Sequence, residues 1–363
     1  MTTATLVADL ESLVATESPS ADLAAIATCA HVVADLGQRS LGAAPEQLRS
    51  GERVHLRWQF GRPRVVLLGH FDTVWPLGTL ARWPFEIDGD RVTGPGVFDM
   101  KAGIVQLFTA LTELPDLDGI TVLLNSDEEI GSTSSHQLIE DTCRDAAAVL
   151  VLEPSADGAL KIARKGVGMF TVHVTGRAAH AGLEPERGIN ATVEAAHHVL
   201  AITELADPAL GTTVTPTVVS AGTTVNTVPA AATVAVDVRA ETADEMHRVE
   251  AALQSLTPHV PGADVKVVPH SVRLPLERSA SSQLFERARA INAELGLGDL
   301  AGVAVGGGSD GNITAALGVP TLDGLGAVGG NAHAEGEWAS LSAITQRATL
   351  VSTLVRDLLE ASR

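Results

Sequence analysis

The sequence predicts an α/β protein, a mixed, largely parallel sheet with helices on both faces, plus an inserted α+β domain. Three observations carry this. Short apolar runs alternate with stretches of helical spacing through the first part of the chain, the order expected of a parallel sheet. Near Gly168 the texture changes to alternating strands such as MFTVHVTG and TVAVDVRA. From Leu274 the chain returns to helix and again carries polar residues that the first part's constellation needs. The expected organisation is a first domain in two parts, 1–167 and 274–363, with 168–273 inserted as a second domain.

Taken in order, Leu6, Val7, Leu10, Leu13 and Val14 have helical spacing. Ser18-Pro19-Ser20 breaks the pattern, and Ser20 or Asp22 is placed to cap a second helix through about Leu36. HLRWQ (55–59) alternates as a strand does. Gly61-Arg62-Pro63 turns the chain into the apolar run Val65 to Leu68. A loop containing Gly94 and Gly96 leads into a helix over Ile104 to Leu114. GITVLLNSDEEIGS is a strand and its polar end, a helix follows from about Ser134, and AAAVLVLEP is a third buried strand ending at Glu153. In the second domain, helices are expected at 190–205 and 243–256, with TPTVVSAG, TVAVDVRA and ADVKVVP as strands. Helices at 279–295 and 340–360 close the chain.

At 363 residues the chain exceeds the usual span of a single core. Hydrophobic residues make up 45% but aromatics only 3%, so the core must be built from Val, Leu, Ile and Ala. The 44 acidic against 25 basic residues give a net charge of −19, which argues against nucleic acid or an anionic membrane as partner. No apolar run reaches the roughly 18 residues of a membrane span. The N-terminal stretch lacks a basic segment followed by an uninterrupted apolar one, so a cytoplasmic protein is expected. Cys29 and Cys143 have no CxxC spacing and read as reduced, mostly buried thiols.

The chemistry is concentrated where apolar runs end. VVLLGHFDTVWP presents His70 and Asp72 on one side of a strand and Phe71 on the other. An imidazole beside a carboxylate suits a metal ligand with its orienting partner, although a polar strand end facing solvent has the same pattern. Asp99, Glu128, Glu129 and Glu153 follow at further strand ends and loops, and His333 lies in GGNAHAEGE. Two imidazoles with three or four carboxylates suit Zn²⁺, and also Co²⁺ or Mn²⁺. One carboxylate of such a set can bridge two metals, and one of the paired glutamates can stay unligated as a general base. Neighbours on a regular strand point apart, which would give Glu128 and Glu129 different roles.

The motifs GHFDTVWP, GPGVFDMKAG, SDEEIGS, LEPS, GRAAHAG, GGGSDGN and NAHAEGE run in order from about residue 65 to 340. Together they resemble the M20 metallopeptidase family, and ARKG and GLEPERGINA lean toward its glutamate carboxypeptidase branch. The desuccinylase branch carries an arginine where this chain has Asn312. The resemblance implies a di-zinc exopeptidase catalytic domain with two Zn²⁺ per subunit and an inserted lid and dimerisation domain forming a homodimer. It implies one metal on His70, Asp99 and Glu153 and another on Asp99, Glu129 and His333, with Asp99 bridging across a cis Asp99–Met100 peptide. Glu128 would be the general base, Asp72 the partner of His70, and His180 an oxyanion donor. Arg239, Asn226, Lys165 and the turn Gly307, Gly308 and Ser309 would bind the substrate's carboxylate. The implied reaction is hydrolysis of an amide next to a C-terminal or N-acylated amino acid, in a small N-acyl amino acid or dipeptide-like substrate, by metal-bound hydroxide. An aminoacylase of the same family is the alternative enzyme. A non-catalytic metal- or peptide-binding relative is the alternative from another class, and the presence of Glu128 argues against it.

Overall fold

The computed structural model describes residues 2–361. The chain divides into two compact units. One runs to Ala163 and takes in Leu276–Val305 and the chain from Ser309 onward; the other is Arg164–Pro275 together with Gly306–Gly308.

The first unit is built on a six-stranded sheet in the order Glu46–Ser50, Arg53–Gln59, Ile120–Asn125, Val65–His70, Ala148–Val151, Thr321–Leu322. The last four strands run parallel, and Arg53–Gln59 joins them antiparallel. The sheet is therefore mixed and largely parallel. Val65–His70 is central and every residue in it is buried. Its alternate residues pack on opposite faces. Val65 and Leu67 meet a layer that includes Leu10, Val33, Leu107 and Leu354, while Val66 and Leu68 meet Ile139, Cys143, Ile313 and Val319. Helices on both faces explain why this strand reads as an unbroken apolar run.

Asp22 caps the second helix, its carboxylate accepting the N–H groups of Ala24 and Ala25 at 3.0 Å. Ser20 does not cap it; its hydroxyl is drawn instead to Asp72. The helix runs Leu23–Leu41, past the expected end at Leu36, until Gly42 stops it in the left-handed region at φ 70°. That conformation is open to glycine without strain. The strand Glu46–Ser50 was not expected from the sequence, because its alternation is polar on both sides.

The second unit is a four-stranded antiparallel sheet in the order Thr213–Ala221, Ala231–Ala240, Gly166–Thr175, Asp264–Arg273. One face is covered by the helices Ala191–Thr203 and Ala243–Gln254, with Phe170, Val172, Val234 and Val236 beneath them. Asn190 and Thr242 cap these helices through their side-chain oxygens. Thr213–Ala221 is an edge strand and is largely exposed.

Both cysteines are free and buried, and burial pushes the Cys143 thiol up to about 12, so neither is a nucleophile at neutral pH. Among the described residues no helix is long and apolar enough to cross a membrane.

Candidate metal centre

Strand Val65–His70 ends on the imidazole itself. Asp72 lies beyond the regular strand, yet the chain folds back so that His70 Nδ1 stands 3.0 Å from the Asp72 carbonyl oxygen and 3.4 Å from its carboxylate. With Nδ1 facing these acceptors, the lone pair for ligation sits on Nε2. Asp72 is fully buried and serves several segments at once. Its carboxylate accepts the Ser20 hydroxyl at 2.7 Å and the N–H groups of Glu128 and Glu129 at 3.2 Å each.

Glu128 and Glu129 do not lie on a strand, as the sequence had implied. Strand Ile120–Asn125 ends at Asn125, and Glu128–Ile130 form a tight helical turn closed by Gly131 N–H on the Glu128 carbonyl. Any difference in role between the two carboxylates therefore comes from this turn and not from strand alternation. Asp127 holds the turn, its carboxylate accepting Ser134 N–H and the hydroxyls of Ser134 and Ser135. Asp310 completes a buried network, accepting from Asn125 Nδ2 and from the Ser132 hydroxyl.

Asp99 stands at the centre. One carboxylate oxygen is 3.3 Å from His70 Nε2 and the other is 3.2 Å from His333 Nε2. Glu153 lies 3.4 Å from His70 Nε2, and Glu129 lies 3.1 Å from His333 Nε2. The five predicted ligands thus fall into two groups, His70–Asp99–Glu153 and Asp99–Glu129–His333, joined at Asp99. His70 Nε2, Asp99 Oδ1 and Glu129 Oε1 are buried without a hydrogen-bond partner. Donors on a zinc tetrahedron with bonds of ~2.0–2.1 Å stand about 3.3 Å apart, the separation found here. Orphaned donor atoms at that spacing fit divalent metal ions. The Asp99–Met100 peptide is cis, and His333 takes a left-handed φ of 62°.

The field of the site calls for positive charge. Burial pulls His70 down, but contacts with Asp72, Asp99 and Glu153 outweigh it and hold its pKa well above the ordinary value. Asp99 and Glu129 raise His333 to about 10. Asp99 is held low by the two imidazoles despite its burial. Glu128 is pushed well up by burial, then by the charges of Glu153 and Asp310.

One residue that sequence reasoning missed is Glu337, which is fully buried. One of its oxygens accepts Phe98 and Asp99 N–H at 2.7 and 2.8 Å; the other accepts Gly96 N–H at 3.0 Å and the Trp75 indole N–H at 2.8 Å. It fixes the backbone from which Asp99 projects. Its place four residues beyond His333 on an acidic loop was the only signal in the sequence. Lys161 was missed too; its ammonium lies 3.9 Å from Glu153.

The substrate candidates are placed differently. In the second unit, Arg239 forks onto Asp237 with bonds of 3.0 and 2.9 Å. Lys165 is bonded to the Gly211 carbonyl and lies 3.5 Å from Glu241. The exposed Asn226 accepts Ala181 N–H through its backbone carbonyl, beside the short pairing of Ala179–His180 with Thr227–Val228. His180 is exposed, and its Nδ1 accepts the N–H groups of Gly182 and Leu183 at 3.1 Å. The carbonyls of Gly307 and Gly308 accept the buried Arg164 guanidinium. Ser309 is fully buried in the first unit, its N–H on Asn312 Oδ1 and its hydroxyl on Asp323.

Two imidazoles sharing one carboxylate at the carboxyl edge of a largely parallel sheet define a metal-dependent hydrolase. Residues 66–357 match the model of Peptidase family M20/M25/M40, and the chain belongs to that family. It is 35% identical over 314 residues to carboxypeptidase G2 of Pseudomonas sp. (strain RS-16), covering 82% of this chain and 74% of that one. It is 30% identical over 168 residues to a succinyl-diaminopimelate desuccinylase of Caulobacter sp. (strain K31), covering 42% of this chain and 43% of that one. Among solved structures it shares the fold of aminopeptidase PepT from Bacillus cereus, with TM-score 0.74 and 19% identity over 99% of both chains. It likewise shares that of the M20 family metallo-carboxypeptidase Sso-CP2 from Sulfolobus solfataricus, with TM-score 0.73 and 16% identity over 96% of this chain and 98% of that one. The chain is an M20-type metallopeptidase or amidohydrolase of the carboxypeptidase G2-like branch.

Two predictions follow from this geometry. Replacing Glu337 with Gln sets an amide N–H against two of its four donors and loosens the Asp99 backbone. Metal affinity measured by chelator competition should fall about 10- to 100-fold, the usual effect of losing a partner behind a ligand. Unchanged affinity would show that Glu337 does not position Asp99.

The second concerns protons. His333, raised to about 10, is protonated at about pH 7.5, and His70 is shifted in the same direction, whereas a ligating imidazole must be neutral. Loading zinc into chelator-stripped protein should therefore release at least about one proton per chain, read by calorimetry in buffers of different ionisation enthalpy. Zinc affinity should rise with pH from the ordinary imidazole range toward His333's value of about 10. A release of less than about one proton would mean that the imidazoles are not the displaced groups.

Proposed function

We propose that the chain is a zinc-dependent carboxypeptidase of the glutamate carboxypeptidase type. It would hydrolyse an amide next to a C-terminal or N-acylated amino acid in a small dipeptide-like or N-acyl amino acid substrate. The observation that carries this reading is Asp99, with one carboxylate oxygen toward each imidazole. His70, Asp99 and Glu153 would hold one ion and Asp99, Glu129 and His333 a second. Metal ions bound there polarise a substrate carbonyl and lower the pKa of water.

The residues around the centre do the rest. Asp72 keeps the His70 lone pair on Nε2 and anchors the turn that carries Glu128. Glu128 takes a proton from the attacking water and returns it to the departing amine. A carboxyl raised by burial and neighbouring charge is suited to both halves of that transfer. His180 donates to the oxyanion: its Nδ1 already accepts two backbone N–H groups, so a neutral ring carries its proton on Nε2. The substrate carboxylate is read by Arg239 in exchange for Asp237, with Asn226, Lys165 and the Gly307–Gly308 turn beside it.

Residues 168–273 serve as the lid and dimerisation domain. The exposed edge strand Thr213–Ala221, with Val218 and Val219 open to solvent, supports pairing with a second copy.

The reading is tested by hydrolysis of a panel of N-acyl glutamates, aspartates and neutral amino acids with zinc, before and after chelation. Chelator-sensitive cleavage of acidic members, restored by zinc, is expected; no such cleavage anywhere in the panel sinks the proposal. In the same assay Glu128→Gln should lower kcat by about 10²- to 10⁴-fold while metal content stays at the wild-type level. Near-wild-type turnover in that variant would remove Glu128 as the base.

A further inference from the structure

Among the described residues, three groups of imidazole and carboxylate side chains are close enough to hold a metal ion. Two make up the centre above. The third, Glu194, His198 and His259, lies wholly in the second unit and plays no part in the reaction.

Its construction is specific. Glu194 and His198 are one helical turn apart on Ala191–Thr203, so both side chains leave the same face. Both are fully buried. His259 comes from the loop after helix Ala243–Gln254 and is about half exposed. Glu194 accepts the His259 N–H at 3.0 Å with each oxygen and the Val260 N–H at 2.6 Å, which fastens the loop to the helix. That clamp is complete without either imidazole. Even so, His198 Nε2 stands 2.7 Å and His259 Nδ1 3.6 Å from the same Glu194 oxygen.

The imidazole nitrogens of His198 are buried without a hydrogen-bond partner. The 2.7 Å approach of the Glu194 oxygen does not have the geometry of a directed N–H···O bond, although the carboxylate still works against burial by drawing the imidazole's pKa upward. Burial keeps His198 below the usual imidazole range, in the neutral form that ligates. His197 stacks on the His259 ring at 4.9 Å and 10°, steadying its plane.

We propose that Glu194, His198 and His259 form a further divalent metal site, with the donor set of a borderline ion such as Zn²⁺ and its remaining position open to solvent. Two imidazoles and a carboxylate match zinc chemistry. The ion joins helix 191–203 to the 257–262 loop through side chains, in addition to the backbone clamp.

The test is zinc stoichiometry of the intact chain, wild type against His259→Ala, by equilibrium dialysis with elemental analysis. The alanine variant keeps the backbone N–H that Glu194 accepts, and the side chain it loses is half exposed, so the fold is retained and is checked by circular dichroism. Wild type should bind one more equivalent per chain than the variant. That difference of one is read independently of how many ions the catalytic centre holds, so it can fail while the proposed function stands, and the reverse. A second variant, His198→Gln, should lose the same equivalent. Equal zinc content and affinity in wild type and folded His259→Ala would overturn the proposal.

Discussion

The site depends on one buried carboxylate. Asp72 joins three stretches of chain that the sequence keeps far apart: the segment before the second helix through Ser20, the end of the central strand through His70, and the Glu128–Glu129 turn through two N–H groups. A buried acceptor with so many donors is strongly constrained, since each hydrogen bond to a charged group contributes on the order of 1.5–3 kcal/mol and an abandoned buried donor costs a similar amount. The orientation of one ligand and the placement of the proposed base are therefore set by the same group. Moving either disturbs the other.

Glu337 repeats this logic behind another ligand, Asp99. Asp72 anchors the glutamate turn, and Glu337 anchors the Asp99 loop through four N–H donors. Burial raises its pKa to about 7. Carboxylates are thus packed behind carboxylates: their attraction holds the imidazole pKa values up, while burial and then the neighbouring negative charges push Glu128 up. Buried charge of one sign is tolerated only with compensation. Divalent cations would supply it, which ties metal affinity to the stability of this edge of the sheet.

Much of this was legible in the sequence because a parallel sheet sorts residues sharply. Its strands are apolar throughout, so the first polar side chains after Leu68, Leu124 and Leu152 stand out, and they line the ligand-binding edge. His70 and Glu153 were visible for that reason, whereas Asp99, Glu129 and His333 lie on loops and turns and were visible through the motifs around them. What stayed hidden were charged groups whose partners local pattern does not reveal. Glu337 accepts N–H groups from distant segments, Arg164 donates to the Gly307 and Gly308 carbonyls, and Asp127 is held by Ser134 and Ser135. The turn at Glu128 was misread as strand because local alternation does not show that Asp127, Ser134 and Ser135 close the chain on itself.

Arg239 has a partner that the sequence reading did not name. Asp237 lies two residues before it on strand Ala231–Ala240, and alternation puts both side chains on one face, so the fork between them was readable from VDVRA. The pair is about one-third exposed, with side-chain exposures of 32% and 31%, so water competes for both partners. An incoming substrate carboxylate would replace one bidentate carboxylate by another of the same geometry. The net gain from that exchange is small, because Coulomb attraction and hydrogen-bond count are conserved. If Arg239 takes the proposed role, selectivity for an acidic amino acid would come from what Asp237 does once displaced, and from which neighbouring donors the substrate engages beyond the fork. In that role the guanidinium would supply orientation, and discrimination would rest on the groups around it.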